Sequence, residues 1–322
     1  MMESATGTRR SIEPGRLDAA GVAGTVRAGH PAGRRSLTAI ARDYVALTKP
    51  RIISLLLLTT VATMVVADPS LPALSTVLWT MLGGYLAAGG AGAINHYLDR
   101  HRDARMARTR GRPLVSGRIE PWHGLVFGIA LGALATVQLA VTVNALSAAL
   151  ALGGLLGYVV VYTIWLKPLT PQNIVIGGAA GAVPPLVGWA AATGALAPEA
   201  VNPFGIVFLW TPPHFWALSL LIKDDYARTG VPMLPVVKGE AATRRQILAY
   251  TAVLVAFSLL PVATGFLDGI YLAAAVTLGA GFLLLAARLL RSPSRVAALR
   301  LYLASLGYLA LLFCAMAADR AI

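Results

Sequence analysis

Charge is scarce in this chain, and what there is has mostly one sign. Only 13% of the 322 residues are charged, against about 25% in an ordinary soluble domain. Asp and Glu number 14 against 27 Lys and Arg. With 57% of the residues hydrophobic, a soluble fold of this length is excluded: so much apolar surface has to face lipid. Cysteine is scarcer still. The single one, Cys314, lies in an apolar run, which excludes a disulfide framework and a thiolate metal centre. Long polar stretches are also missing beyond residue 40, so no large extramembrane domain is expected. A net charge of +13 would suggest nucleic acid in a soluble chain. Here it reflects membrane orientation, and no nucleic-acid partner is expected.

Residues 1–43 are rich in Gly, Ala, Ser and Arg without periodicity and read as a disordered basic tail. They lack the continuous apolar stretch of a secretory signal peptide. Their Arg content admits a mitochondrial transit peptide, which Glu3, Glu13 and Asp18 oppose. The rest, 44–322, reads as one intramembrane domain. Apolar runs predict nine spans near 52–67, 76–95, 122–142, 145–165, 172–192, 203–222, 246–266, 269–288 and 299–317. Nine spans put alternate connectors on opposite sides, and 26 of the 27 Lys and Arg then fall on one of them, Arg320 being the exception. The expected fold is therefore an all-α polytopic bundle of nine transmembrane helices, N-terminus cytoplasmic and C-terminus outside.

Chemistry-bearing residues collect on that same charged side. In AINHYLDRHRDARMARTRGRPLVSGRI, the positions Asn95, Asp99 and Asp103 follow each other at four-residue intervals. They line one face of a helix that continues out of the second span. An amide and two carboxylates on one stripe offer hard oxygen ligands to Mg²⁺, an ion that commonly binds through a few carboxylates and substrate phosphates. Arg108, Arg110, Arg112 and Arg118 follow, with guanidinium groups suited to phosphate oxygens. The plainer reading is a solvated loop whose Asp residues offset Arg. Against it stands Asn95, at the inner end of an apolar run, where a polar group is costly without a partner or a wet cavity. A second cluster, Asp224 and Asp225 followed by Tyr226, Arg228 and Lys238, lies after the sixth span. His214 sits inside an apolar helix in TPPHFWAL, either as a haem or proton partner or as a buried ring bonded to a backbone carbonyl. His96 and His101 are expected on the surface. Trp210, Trp216, Tyr158 and Tyr162 are expected as lining or interface aromatics.

The stretch NHYLDRHRDARMARTRGRPL resembles the first Asp-rich motif of UbiA-superfamily intramembrane prenyltransferases. With LTKPRI, WTPPHFWALSL and DDYARTGVPMLPVV, the chain from about Tyr44 onward is similar to the haem-modifying branch of that superfamily. The resemblance implies nine helices around a central cavity in the plasma membrane of a bacterium, with the active site facing the cytoplasm. It implies Mg²⁺-dependent transfer of the farnesyl group of farnesyl diphosphate to a vinyl group of haem B, with water addition, giving haem O and diphosphate. Carried over, Asp99, Asp103 and Asp225 would be catalytic, and Asn95, Asp99, Asp103, Asp224 and Asp225 would hold metal. Asn95, Lys49, Arg108, Arg112 and Arg228 would bind diphosphate, with His214 and Tyr226 on the haem side. A haem A synthase or a terminal-oxidase assembly is the implied protein partner. One departure stands out. Many superfamily members carry DxxxD in the second loop, whereas position 221 here is Leu221, which leaves the second metal's ligands open. A related prenyltransferase with a phenolic or chlorin acceptor shares the first motif, and a polytopic transporter shares the charge pattern.

The charge asymmetry yields a direct test. In a Cys314→Ser background, Ser116→Cys should react with an impermeant maleimide only from the cytoplasmic side and Ser70→Cys only from the outside. The reverse pattern would overturn the orientation.

Overall fold

The computed structural model describes residues 36–322. Most of the tail read as disordered, up to residue 35, thus lies outside the described residues. Residues 37–43 belong instead to a helix, α1 (Leu37–Thr48). Leu37, Ile40, Tyr44 and Leu47 give it an apolar stripe at helical spacing, and the Ser36 hydroxyl caps it by accepting the Ala39 amide at 3.3 Å. It ends at Lys49, which takes a left-handed conformation (φ 60°), and Pro50 starts the next helix.

Nine helices among the described residues are long and apolar enough to cross a membrane. They are α2 (Pro50–Ala67), α3 (Leu74–Asp103), α4 (Pro121–Thr142), α5 (Ala145–Leu169), α6 (Asn173–Thr193) and α7 (Pro198–Leu221). After two short connector helices, α8 (Lys223–Arg228) and α9 (Leu234–Val237), come α10 (Gly239–Ala263), α11 (Gly269–Arg291) and α12 (Arg295–Ala321). Each matches an expected span, and α3 continues past Asn95 to Asp103 as its stripe requires. No strand occurs among the described residues, since in lipid a helix satisfies its backbone hydrogen bonds internally.

Neighbouring spans pack in chain order, and α12 returns to α2, closing a ring. Further pairings cross its interior, chiefly α2 with α6 and α7 with α12, with α3 also touching α5 and α6. The α6–α12 side is filled by large side chains, including Trp189, Trp216, Phe282 and Phe313. The opposite sector, bounded by α2, α3, α5 and α6, stays hollow. Close backbone approach fixes both boundaries. A Cβ on Gly128 would lie 2.9 Å from the Gly90 carbonyl across the α3–α4 contact. One on Gly188 would lie 2.2 Å from the Thr60 carbonyl across the α2–α6 crossing. With no hydrophobic drive between helices in lipid, such small-residue contacts carry the association.

Gly128→Val and Gly188→Val should each lower the thermal stability of the detergent-solubilised protein, by roughly 1–3 kcal/mol or more. Gly153→Ala, where nothing lies within 4 Å, should leave it unchanged or higher. Equal melting temperatures for all three would refute the packing account.

Candidate functional site: a buried charge cluster at the mouth of an apolar cavity

The inward stripe of α3 changes character along its length. Gly84, Ala88 and Ala91 line the hollow sector. One, two and three turns further on, the same face presents Asn95, Asp99 and Asp103, all at least 95% buried. Charges so enclosed require partners, and the neighbouring elements supply them. Lys49 donates to Asn95 Oδ1 at 2.7 Å, and the Asn95 amide donates to Asp99 Oδ2 at 2.8 Å. Lys167 reaches the same Asp99 oxygen at 2.5 Å, and Arg102 reaches its other oxygen at 3.3 Å. Arg112 pairs with Asp103 at 2.5 Å. The left-handed turn at Lys49 breaks the chain between α1 and α2 at the point where its side chain enters the cluster. Burial first, then the charges of Arg112 and Lys167, push its ammonium down to about 7.

Lys167 was visible in sequence only as one of the charges that set orientation. Its place in the site comes from the middle of α5, where Gly157–Leu166 winds as a π-helix. The wider turn brings Tyr158, Thr163 and Lys167 onto one face. The Thr163 hydroxyl donates to the Tyr158 carbonyl five residues back at 2.9 Å, and it accepts from the Asn95 amide at 3.3 Å. Tyr158 and Tyr162 stack with ring centroids 5.4 Å apart, and Lys49 Nζ lies 6.0 Å from the centre of the Tyr158 ring. Expected as lining or interface aromatics, these tyrosines stand beside the charge cluster. A Thr five residues past a Tyr and a lone Lys closing an apolar run were the available signals. A π-turn, however, has no distinctive hydropathy period.

The second charged connector contributes unevenly. Asp225 is largely buried and paired with Arg228, and Tyr226 is buried beneath it. Burial, countered by the positive charges of Arg108 and Arg112, raises the Tyr226 hydroxyl to about 12, so it remains a hydrogen-bond donor at neutral pH. The charges of Asp99 and Asp225 both bear on it, which links the two acidic connectors through one phenol. Asp224 and Arg108 are solvent-exposed, and Asp224 takes no part in the cluster.

The histidines separate. His101 is exposed as expected. His96 is not on the surface: it is 4% exposed, and neither ring nitrogen has a hydrogen-bond partner. The helix face chosen for it looks toward the end of α1, which packs on α3, instead of water. His214 is stacked between Trp210 and Tyr302, with centroids 4.1 and 4.8 Å away. Its Nδ1 meets Ser305 Oγ at 2.7 Å, and that hydroxyl spends its only proton on the Tyr302 carbonyl at 2.6 Å. This arrangement suits the tautomer in which Nδ1 donates, with Nε2 outside this network. The partner is a side-chain hydroxyl, so the expected bond to a backbone carbonyl is not the one this ring makes.

The hollow sector is a cavity of about 250 Å³ that runs from Lys49 and Tyr158 inward between α2, α3, α5 and α6. Its walls are almost wholly apolar. Bulk comes from Ile53, Leu56 and Leu57 on α2 and from Leu155, Val183 and Val187 on α5 and α6, and space from the Gly and Ala of α3 and those interspersed on α5 and α6. A cation-lined anion site thus opens onto a dry tunnel. The donor set fits Mg²⁺. Among the described residues no three His, Cys, Asp or Glu side chains converge to hold an ion alone. Asn95, Asp99 and Asp103 form an open row of hard oxygens that phosphate and water would complete.

Comparison with known proteins accords with this geometry. The UbiA prenyltransferase family profile matches residues 56–313. A protoheme IX farnesyltransferase of Roseiflexus sp. (strain RS-1) is 56% identical over 88% of this chain, which spans 53% of that relative's length. Proteins of the same name from Symbiobacterium thermophilum and Marinobacter nauticus are 54% and 50% identical over 87% and 86% of the chain, and 94% and 92% of their own lengths are covered. The chain thus spans about half the length of some curated relatives and nearly all of others. Among solved structures, a digeranylgeranylglyceryl phosphate synthase superposes with TM-score 0.72 at 18% identity, over 87% of this chain and 98% of its own. A UbiA homologue from Archaeoglobus fulgidus bound to DMAPP and Mg²⁺ superposes with TM-score 0.62 at 17% identity, over 85% and 99%. At such identities the structures establish the fold, while the matched profile and the curated relatives establish kinship: the chain belongs to the UbiA prenyltransferase family.

Proposed function

We propose that this chain transfers the farnesyl group of farnesyl diphosphate to a vinyl group of haem B, producing haem O and diphosphate. The observation that carries the reading is the buried cluster around Asp99, set at the mouth of a dry apolar cavity. Relatives at 50–56% identity named protoheme IX farnesyltransferase supply the acceptor. Mg²⁺ bound along Asn95, Asp99 and Asp103 would neutralise charge on the departing diphosphate. Asp225 would serve the same anion from the second connector, with Asp224 at most a peripheral contributor.

In this reading Lys49 turns from the Asn95 amide oxygen, and Lys167, Arg112 and Arg228 turn from their carboxylate partners, toward the phosphate oxygens. Stabilising charge as it develops on a leaving group is commonly the largest catalytic contribution. The C1–O bond breaks with its electron pair going to diphosphate, leaving an allylic cation. The faces of Tyr158 and Tyr162 stabilise that cation, and the apolar cavity wall keeps water from it. The terminal carbon of the haem vinyl forms the new C–C bond. Water then adds at the neighbouring carbon, and its proton passes to the released diphosphate. His214, with Nε2 available, and Tyr226, a phenol at neutral pH, act on the haem side. We further propose a bacterial plasma-membrane location with the site facing the cytoplasm, and delivery of product to a haem A synthase or terminal-oxidase assembly.

Asp99→Ala and Asp103→Ala should each abolish haem O formation, followed by mass in membranes supplied with haem B, farnesyl diphosphate and Mg²⁺, with insertion intact. Near-normal product from either would remove the role proposed for the stripe. His214→Phe should retain prenyl-diphosphate binding but lose transfer to haem by at least about a hundredfold, on the scale of a lost positioned catalytic group. Loss of both activities together would place His214 in the fold and not at the acceptor.

A further inference from the structure

The cavity has a definite end. On the charged side it begins at Lys49 and Tyr158, and inward its lining stops at Thr60, Gly84, Ala151 and Val187. Directly beyond, the protein is solid: Thr63, Met64 and Thr80 are fully buried. The stop is the crossing of α2 and α6, where Gly188 presses against the Thr60 carbonyl so closely that even a methyl group would not fit. No polar atom is left over at that floor, because the Thr60 hydroxyl donates to the Leu56 carbonyl at 2.9 Å.

The depth can be counted along two helices. From Lys49 to Thr60 on α2, and from Asn95 to Gly84 on α3, there are eleven residue steps, about 16 Å at 1.5 Å per residue. Each isoprene unit lays four carbon–carbon bonds end to end. At about 1.5 Å per bond and staggered geometry, three units extended reach roughly 15 Å and four reach roughly 20 Å. We propose that the Thr60–Gly188 crossing is the stop that measures the prenyl chain, making this cavity selective for three isoprene units over two or four. The inference rests on the prenyl-transfer reading above and names the residues that set its chain length.

Two wall positions act in opposite directions and spare the crossing itself. A Cβ on Gly84 would first meet the Leu57 side-chain end at 3.1 Å, a flexible neighbour that can yield, so Gly84→Leu shortens the space without forcing a backbone apart. Leu57→Ala removes the bulk beside it and enlarges the inner end. A hydrophobic pocket discriminates by about tenfold or more per methylene, so a five-carbon mismatch should be read easily.

The test uses full-length protein in nanodiscs with Mg²⁺ and the thiolo analogues of geranyl, farnesyl and geranylgeranyl diphosphate, which bind without ionising. Wild-type protein should bind the farnesyl analogue at least about tenfold more tightly than either other. Gly84→Leu should move the preference to geranyl, and Leu57→Ala should move it toward geranylgeranyl. If Gly84→Leu fails to fold, Ala151→Leu replaces it on the opposite wall. Folded variants that all keep the wild-type order overturn the proposal. A parallel assay of transfer to haem B separates the two readings. Shifted binding orders with no haem product from any chain would uphold the stop and sink the acceptor assignment.

Discussion

Everything functional in this molecule depends on keeping Asp99 charged inside a membrane. A carboxylate about 98% buried is costly unless the surroundings return what water has been denied. Lys167, Arg102 and Asn95 do so directly, from α5, from the next turn of α3 and from the previous one. Lys49 is drawn in behind Asn95. The cluster therefore joins α1, α2, α3 and α5 at one end of the bundle, and the same basic groups that offset its two carboxylates are the ones the proposed diphosphate would recruit. Local stability and readiness for an anion are two uses of the same charges.

The cavity next to it follows from a different economy of residues. The α3 wall is built wholly from Gly and Ala, and α5 and α6 mix small residues with Leu155, Val183 and Val187, so the helices are close yet leave room, while α2 supplies much of the bulk. Where the close approach is complete, at Gly188 and Thr60, the room ends. Polar side chains appear only at the mouth and at a self-satisfied floor, which makes the interior a poor solvent for charge everywhere except beside the two stacked tyrosines.

The span count, the polarity of the connectors and the Asn95–Asp99–Asp103 stripe were legible in the sequence because each depends on a period or a composition that survives without three-dimensional context. Helix α1 was lost among the tail residues since its stripe is short and its neighbours carry no pattern. Lys167 and Thr163 were hidden by the π-turn, which moves side chains around the helix without altering hydropathy. His96 was assigned to the surface because periodicity says which face a residue occupies and not what covers that face. Asp224 and Asp225 look equivalent as neighbours, yet only the second is enclosed. Adjacent residues on a helix point about 100° apart, and just one of them can face inward.

Ring closure between α2 and α12 has a consequence for how the protein is made. α2 is the earliest of the nine spans to leave the ribosome and α12 the latest. The sector holding the cavity can assemble once α6 has arrived, because α2, α3, α5 and α6 are its walls. The far flank of α2 must wait in lipid until the last span is synthesised. All four walls of the cavity have thus been synthesised once Thr193 of the 322 residues is in place, and the bundle around them is locked only when α12 follows.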